Sequence, residues 1–236
     1  MKRFWDNAAA IRGADAYFDI MLDGRPVRLP GGQQLRVPHA ALADAIAAEW
    51  QLAGGAKGGS FSQNDVPLTG LAGTAQHRIA PNPDATVAAL AAYAGSDFLC
   101  YRAERPQTLV VRQHHAWQPW LEWAARRFGG RLVVTHGVMP VSQPEDALAA
   151  LHAATAALDP FTLSGLGVLV PAYGSLVLGL AVAHGEIDAT GAYGLTLIDE
   201  DFQEQVWGED AAAAARRRLI AADVALAERF IRLSAP

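Results

Sequence analysis

The sequence predicts an α+β protein, with a small β-rich N-terminal domain over residues 1–80 and a larger, mainly α-helical domain over 81–236. Three observations carry this. Turn dipeptides separate short alternating apolar runs near the N-terminus. Beyond Pro81 apolar residues recur at three- and four-residue steps. Alanine is abundant and runs unbroken from Ala211 to Ala215, which favours helix. With 51% hydrophobic and 18% charged residues, the chain is not a disordered one.

Each element has a local reason. "AYFDIML", "DG" and "RPVRL" form a hairpin signal, because Asp23-Gly24 takes the positive φ angles of a tight turn. "PGG" turns the chain into a third strand, "QQLRV". From Pro38 to Gln51 the period changes to that of a helix, with Leu42, Ile46 and Trp50 on one face. "GGAKGGS" is a loop, and it lacks the Gly-Lys-Ser/Thr ending of a phosphate-binding loop. Helices follow near 84–95, 107–128, 144–158, 160–170, 174–184, 189–207 and 210–233. Ser142 and Glu145 have the spacing of a capping box, and Asp159-Pro160 marks a second helix start. "GGRLVVTHGV" is a short strand or an extended link. Residues 160–183 carry no charge, a span long enough to cross a bilayer. Pro171, Gly174 and Ser175 break that span into two buried core helices.

The composition also limits function. A net charge of −5 argues against nucleic-acid binding, which needs a basic face. Cys100 is the single cysteine, so there is no disulfide framework or multi-thiolate metal site, and its apolar neighbours make it a packing residue. The N-terminus reads as neither a secretory signal nor a transit peptide, and the lone cysteine fits a reducing compartment. No nucleophile elbow, zinc helix or dinucleotide loop occurs, so no catalytic residue is assigned and no cofactor or metal is expected. His114-His115 is the best metal-ligand pair, yet adjacent helical residues point about 100° apart.

Charge concentrates in "LIDEDFQEQVWGED" at 197–210. On one continuous helix, Leu195, Ile198, Phe202 and Val206 share a core-facing stripe, while Glu200, Glu204 and Trp207 share the other side. Gly208 ends that helix, and Glu209 and Asp210 open the next, where carboxylates suit the dipole. Two readings stand. The acids form a solvated face with Trp207 tucked against the next helix, or they ring an aromatic anchor on a docking surface.

Eight short motifs occur in order: "RFW", "LDGRPV", "AAEW", "VPLTGLAGTA", "DFLCYRA", "RQ" before "W.P.LEW", "GSLVLGLA" and "DEDFQ…WGED". Together, from Arg3 to about Leu233, they resemble the family of assembly chaperones that receive the α subunit of the ATP synthase F1 sector. The resemblance implies a β-rich domain before a helical one and no enzymatic activity. It implies binding of the unassembled F1 α subunit, whose α/β interface is shielded until β replaces the chaperone. A protein monomeric when free and not inserted in a membrane is expected, and eukaryotic relatives would work in the mitochondrial matrix. By the same resemblance the important acidic position lies among Asp199, Glu200 and Asp201, with Glu200 foremost, and Trp207 matches a motif position; Glu204 joins them as a partner-binding residue through the helix face it shares with Glu200 and Trp207. Without a transit peptide, the resemblance points to a member located in the bacterial cytoplasm. Arg25, Trp50, Gln203, Gly208, Glu209 and Asp210 match motif positions, and for Arg25 and Trp50 a structural role weighs at least equally. Gly191 and Gly194 depart from the pattern and question where the acidic helix starts. The alternative from another class is a small metal-dependent hydrolase that combines the acidic cluster with His114 and His115.

Overall fold

The computed structural model describes residues 1–137, 139–208 and 210–235, without the side chain of Val206. Two compact units emerge. One comprises Met1–Asn82 with Pro160–Gly165 and Arg229–Pro236, and the other Pro83–Asp159 with Leu166–Glu228. A single cut at residue 80 does not describe this arrangement, because two later segments rejoin the N-terminal unit. The two returning segments meet each other, with the Phe161 and Phe230 rings stacked at 6.1 Å. Ser164 Oγ also donates to Leu71 O at 2.8 Å.

In the first unit β2 (Phe18–Leu22) is the organising strand. It pairs antiparallel with β1 (Ala8–Arg12), from Ala8 opposite Leu22 to Arg12 opposite Phe18. Its two ends also pair with β3 (Arg25–Pro26) and β4 (Arg36–Val37). Asp23 and Gly24 have φ of 46° and 77°, the backbone of the expected tight hairpin turn. The Asp23 carboxylate accepts from the Asp6 and Asn7 amides at 3.0 and 2.9 Å, and these bonds hold its pKa low. β1 has no strand signature, because alanine is a poor strand former. Pairing with β2 decides its conformation.

Helix α1 (Ala40–Leu52) buries Leu42 and Ile46, as its period predicts. Trp50 extends the stripe into an edge-to-face cluster with Trp5 at 5.1 Å and Phe61 at 5.6 Å. Its indole N–H donates to Thr69 Oγ1 at 2.9 Å. Glu49 accepts from the Leu68 and Thr69 amides, which opens α2 (Pro67–Gly73). A π-helical segment, Thr74–Ile79, continues α2. Gly70 and Gly73 hid this region from sequence reasoning. Gly73 is needed for close approach, since a Cβ there would sit 2.8 Å from Leu29 Cδ2.

The second unit holds α3 (Pro83–Ala91), α4 (Gln107–Phe128), α5 (Glu145–Ala156), most of α6 (Pro160–Tyr173), α7 (Leu176–Ala183), α8 (Ala189–Thr196), α9 (Ile198–Trp207) and most of α10 (Ala211–Leu233). A parallel pair, β5 (Tyr101–Arg102) and β6 (Thr135–His136), resolves the "GGRLVVTHGV" ambiguity as a short strand. The capping box at 142–145 does not form. Pro144 holds the N-cap position, and Gln143 instead exchanges two hydrogen bonds with the Val133 backbone. The uncharged stretch 160–183 splits into α6 and α7 at Gly174, with Ser175 capping the second helix. Among the described residues no helix is long and apolar enough to cross a membrane. The expected helix 189–207 is two helices, broken at Leu197, and the glycines at 191 and 194 are accommodated in α8. Leu195 therefore leaves the stripe assigned to it. Its carbonyl accepts from the Trp117 indole at 2.8 Å.

Asp97, fully buried, is the polar pin of this unit. Its carboxylate accepts from the Leu99 and Val177 amides at 3.1 Å each, joining the segment before β5 to the start of α7. Burial pushes its pKa up to about 6 despite these bonds. Neighbouring Cys100 is also buried, and burial lifts its thiol to about 12, as suits a packing residue.

Two predictions follow from these pins. Trp50→Ala removes one of the cluster's three mutually contacting rings and is expected to cost ~3 kcal/mol in denaturant unfolding, whereas Trp50→Phe should cost only about 1 kcal/mol. Because the folded-state pKa of Asp97 lies above its ordinary 3.8, folded protein holds the extra proton between those values. Stability from this group therefore falls as pH rises through about 6, by roughly 3 kcal/mol across the window. Lowered His184 acts oppositely below its ordinary pKa, so the comparison needs Asp97→Asn as reference. Relative to that variant, the wild type should gain melting temperature as pH falls from neutral toward about 4.

Candidate functional site

The acidic helix α9 does not present its charges alike. Asp199 turns inward, where Gln113 Nε2 of α4 donates to its Oδ1 at 2.6 Å. Gln113 is itself buried, and its Oε1 accepts from the Ala103 amide at 2.7 Å. Its carbonyl accepts from Arg102 Nη1 at 2.9 Å. Asp201 lies between two arginines, 3.6 Å from Arg112 and 3.8 Å from Arg217. Glu204 forms the tightest contact, a direct hydrogen-bonded pair with Arg217 of α10. Glu200 is the loosest, 3.9 Å from Arg217 with 58% of its side chain exposed.

Glu200, Glu204 and Trp207 line one open groove of about 570 Å³. Arg216, Arg217 and the buried Tyr173 and Tyr193 also face it. Trp207 is 81% exposed, so the tucked indole of the plainer reading does not occur. Nor is the face purely acidic, because Arg217, whose side chain is only 15% exposed, answers three of its carboxylates. Ile198 is buried and Phe202 half-buried, as the stripe predicts, while the Val206 side chain lies outside the described residues.

Both helix ends are as expected where they are described. Gly208 stops α9 with φ of 89°. Asp210 caps α10, its Oδ1 accepting from the Ala212 amide at 2.8 Å. Glu209 lies outside the described residues. Gln203 is exposed on α9 and also lines the groove. In the other unit Arg25 is exposed on the β2–β3 hairpin, and Trp50 is half-buried in its ring cluster.

A family model described as ATP12 chaperone protein matches residues 2–125. The crystal structure of Atp12 from Paracoccus denitrificans superposes with a TM-score of 0.92 at 43% identity, covering 99% of this chain and 98% of that one. The chain belongs to the ATP12 chaperone family. An aspartate-to-lysine variant of the Paracoccus protein gives the same TM-score at 42% identity, with the same coverage. The Atu1473 protein from Agrobacterium tumefaciens gives 0.88 at 33% identity, over 98% of this chain and 84% of that one.

The metal-hydrolase alternative gains nothing from the geometry. His114 and His115 are exposed on α4 with ring centroids 6.0 Å apart. Among the described residues no group of three or more His, Cys, Asp or Glu side chains gathers as a metal site. The acids instead meet Gln113, Arg112 and Arg217, whose part sequence reasoning missed. One signal was present: the run Arg216-Arg217-Arg218 follows the acidic stretch by a few residues with opposite charge.

If Gln113 fixes α9, Gln113→Leu strands the Ala103 amide and the Asp199 carboxylate. Each buried unpaired group costs about 1–3 kcal/mol, so a clear drop in the unfolding midpoint is expected. A midpoint within ~0.5 kcal/mol of wild type would show that α9 is held without it.

Proposed function

We propose that this chaperone binds the unassembled α subunit of the ATP synthase F1 sector at the groove of α9. It shields the surface that later packs against β and releases α as β arrives. Membership of the ATP12 chaperone family supports the client class. The observation that carries the site is Trp207, an indole 81% exposed beside Glu200. Large aromatics ringed by charge are typical binding anchors, and the charge steers a partner of opposite sign. An orphan subunit exposes an apolar interface that aggregates, so holding it needs differential affinity and no catalysis. Asp199 and Asp201 serve this reading by positioning the helix, and Glu200 and Trp207 by meeting the client. Arg25 and Trp50, in the other unit, act structurally.

Co-expression and three substitutions test the reading. Co-expression with F1 α alone should raise the soluble yield of α and give a co-eluting complex, whereas assembled F1 should not bind. Persistently insoluble α with no complex would sink the assignment. Within that complex, Glu200→Lys should weaken binding by about tenfold or more, some 1.4 kcal/mol, with the melting curve nearly unchanged. Trp207→Ala should behave alike, because so exposed a ring contributes little to folding. Glu204→Lys, by contrast, drives a cation against half-hidden Arg217 and should lower stability as well as binding. Normal α binding by both Glu200→Lys and Trp207→Ala would make the groove a solvated face.

A further inference from the structure

We propose that a second cavity of the helical unit, between α4 and the β5–β6 pair, binds a small molecule carrying one carboxylate or phosphate on a short apolar body. The cavity holds about 340 Å³. Its walls bring together Arg102, His114, His115, His136, Gln107 and Gln118 with three valines and, among the described residues, no carboxylate. In a chain with a net charge of −5, a lining of donors without an acid is a selective feature. Glu104 lies beside Gly137, next to His136 in sequence, but outside the lining.

Arg102 supplies the charge. It is 5% exposed, its Nε donates to Leu99 O and its Nη1 to Gln113 O. Its Nη2 is buried with no hydrogen-bond partner. The guanidinium lies over the Trp117 ring, with Cζ 5.1 Å from the centroid. That contact supplies no acceptor, so the N–H bonds of Nη2 stay unanswered. Among the described residues no carboxylate forms an ion pair with it. A buried cation without a counter-charge is costly, and its field in a low-dielectric wall attracts an anion.

The rim supplies the direct contacts. His114, His115 and His136 are exposed, and each neutral imidazole offers one N–H. Gln107 and Gln118 add amide donors. Val110, Val111 and Val134 give the remaining surface an apolar character, and the volume exceeds what a bare anion fills. The ligand is therefore an oxyanion with an apolar portion, whether the anionic group is a carboxylate or a phosphate.

Titration with phenyl phosphate and with benzoate, each followed by amide and imidazole shifts in NMR spectra, tests the site. Chloride at matched ionic strength is the control, and inorganic phosphate measures what the apolar body adds. Saturable shifts centred on Arg102, His114 and His136 are expected for at least one aromatic probe, and they identify the preferred anion. That probe should bind about tenfold tighter than inorganic phosphate. The double variant His114→Ala, His136→Ala changes only exposed side chains and should weaken it by a similar factor. Arg102→Gln should abolish binding if it folds, and the histidine variant decides the matter if it does not. The proposal is overturned if neither aromatic probe exceeds the chloride control, or if the histidine variant binds the probe as tightly as the wild type.

Discussion

Polar contacts help fix the acidic helix α9, whose described apolar side chains are the buried Ile198, the half-buried Phe202 and the exposed Trp207. Gln113 is decisive because its own freedom is gone. With its Oε1 accepting from the Ala103 amide, its Nε2 can only face Asp199. A buried amide with both its oxygen and its nitrogen engaged admits one arrangement, and it is correspondingly rigid. Once Asp199 is fixed inward, the next residue follows about 100° around the helix, and Glu200 must open onto the groove. Arg217 completes the hold at Glu204, one turn further on.

The N-terminal unit solves a similar problem with charges placed on helix ends instead of ion pairs. Arg3, buried, donates to the carbonyls of Trp5, Asp6, Gln51, Ala53 and Gly55. Three of these lie at or beyond the C-terminal turn of α1, where orphan carbonyls make the dipole negative. Glu49 does the converse, meeting orphan amides at the positive start of α2. Trp5, Trp50 and Phe61 close the space between these contacts. The motifs "RFW", "AAEW" and "VPLTG", far apart in sequence, are thus one packed cluster.

Helix existence was legible wherever periodicity was long, as in Gln107–Phe128 and in α10. Strand β1 was not, since nothing in Ala8–Arg12 prefers an extended chain until β2 lies beside it. The capping box at Ser142 failed for a related reason. Its pattern was correct locally, but Gln143 is drawn to the Val133 backbone and Pro144 takes the cap position. Reading 189–207 as one helix joined Leu195 to a stripe that the break at Leu197 separates from it. In the first two cases a local preference is overruled by a neighbouring segment, β2 or the Val133 backbone. For the same reason the grouping of Glu200, Glu204 and Trp207 was readable from i, i+4 and i+7 spacing, while Arg217 was not. Its position depends on how α10 packs, which no spacing within α9 encodes.

Arg217 changes what the acidic stretch means. Counted along the sequence, Asp199, Glu200, Asp201 and Glu204 look like four equivalent charges. In the fold, Asp199 is engaged by an amide, Asp201 is shared by two arginines, and Glu204 is bound directly to Arg217. A basic group on a partner would have to compete with those internal contacts at three of the four. At Glu200 the competition is weak, because 3.9 Å and 58% exposure leave its charge largely hydrated and available. Asp210, which also lines the groove, is engaged by the Ala212 amide at the cap of α10, and among the acids of α9 the available charge therefore lies on Glu200, which shares the groove with the exposed tryptophan. That coincidence of available charge and available aromatic surface is what favours a docking site over a merely solvated helix.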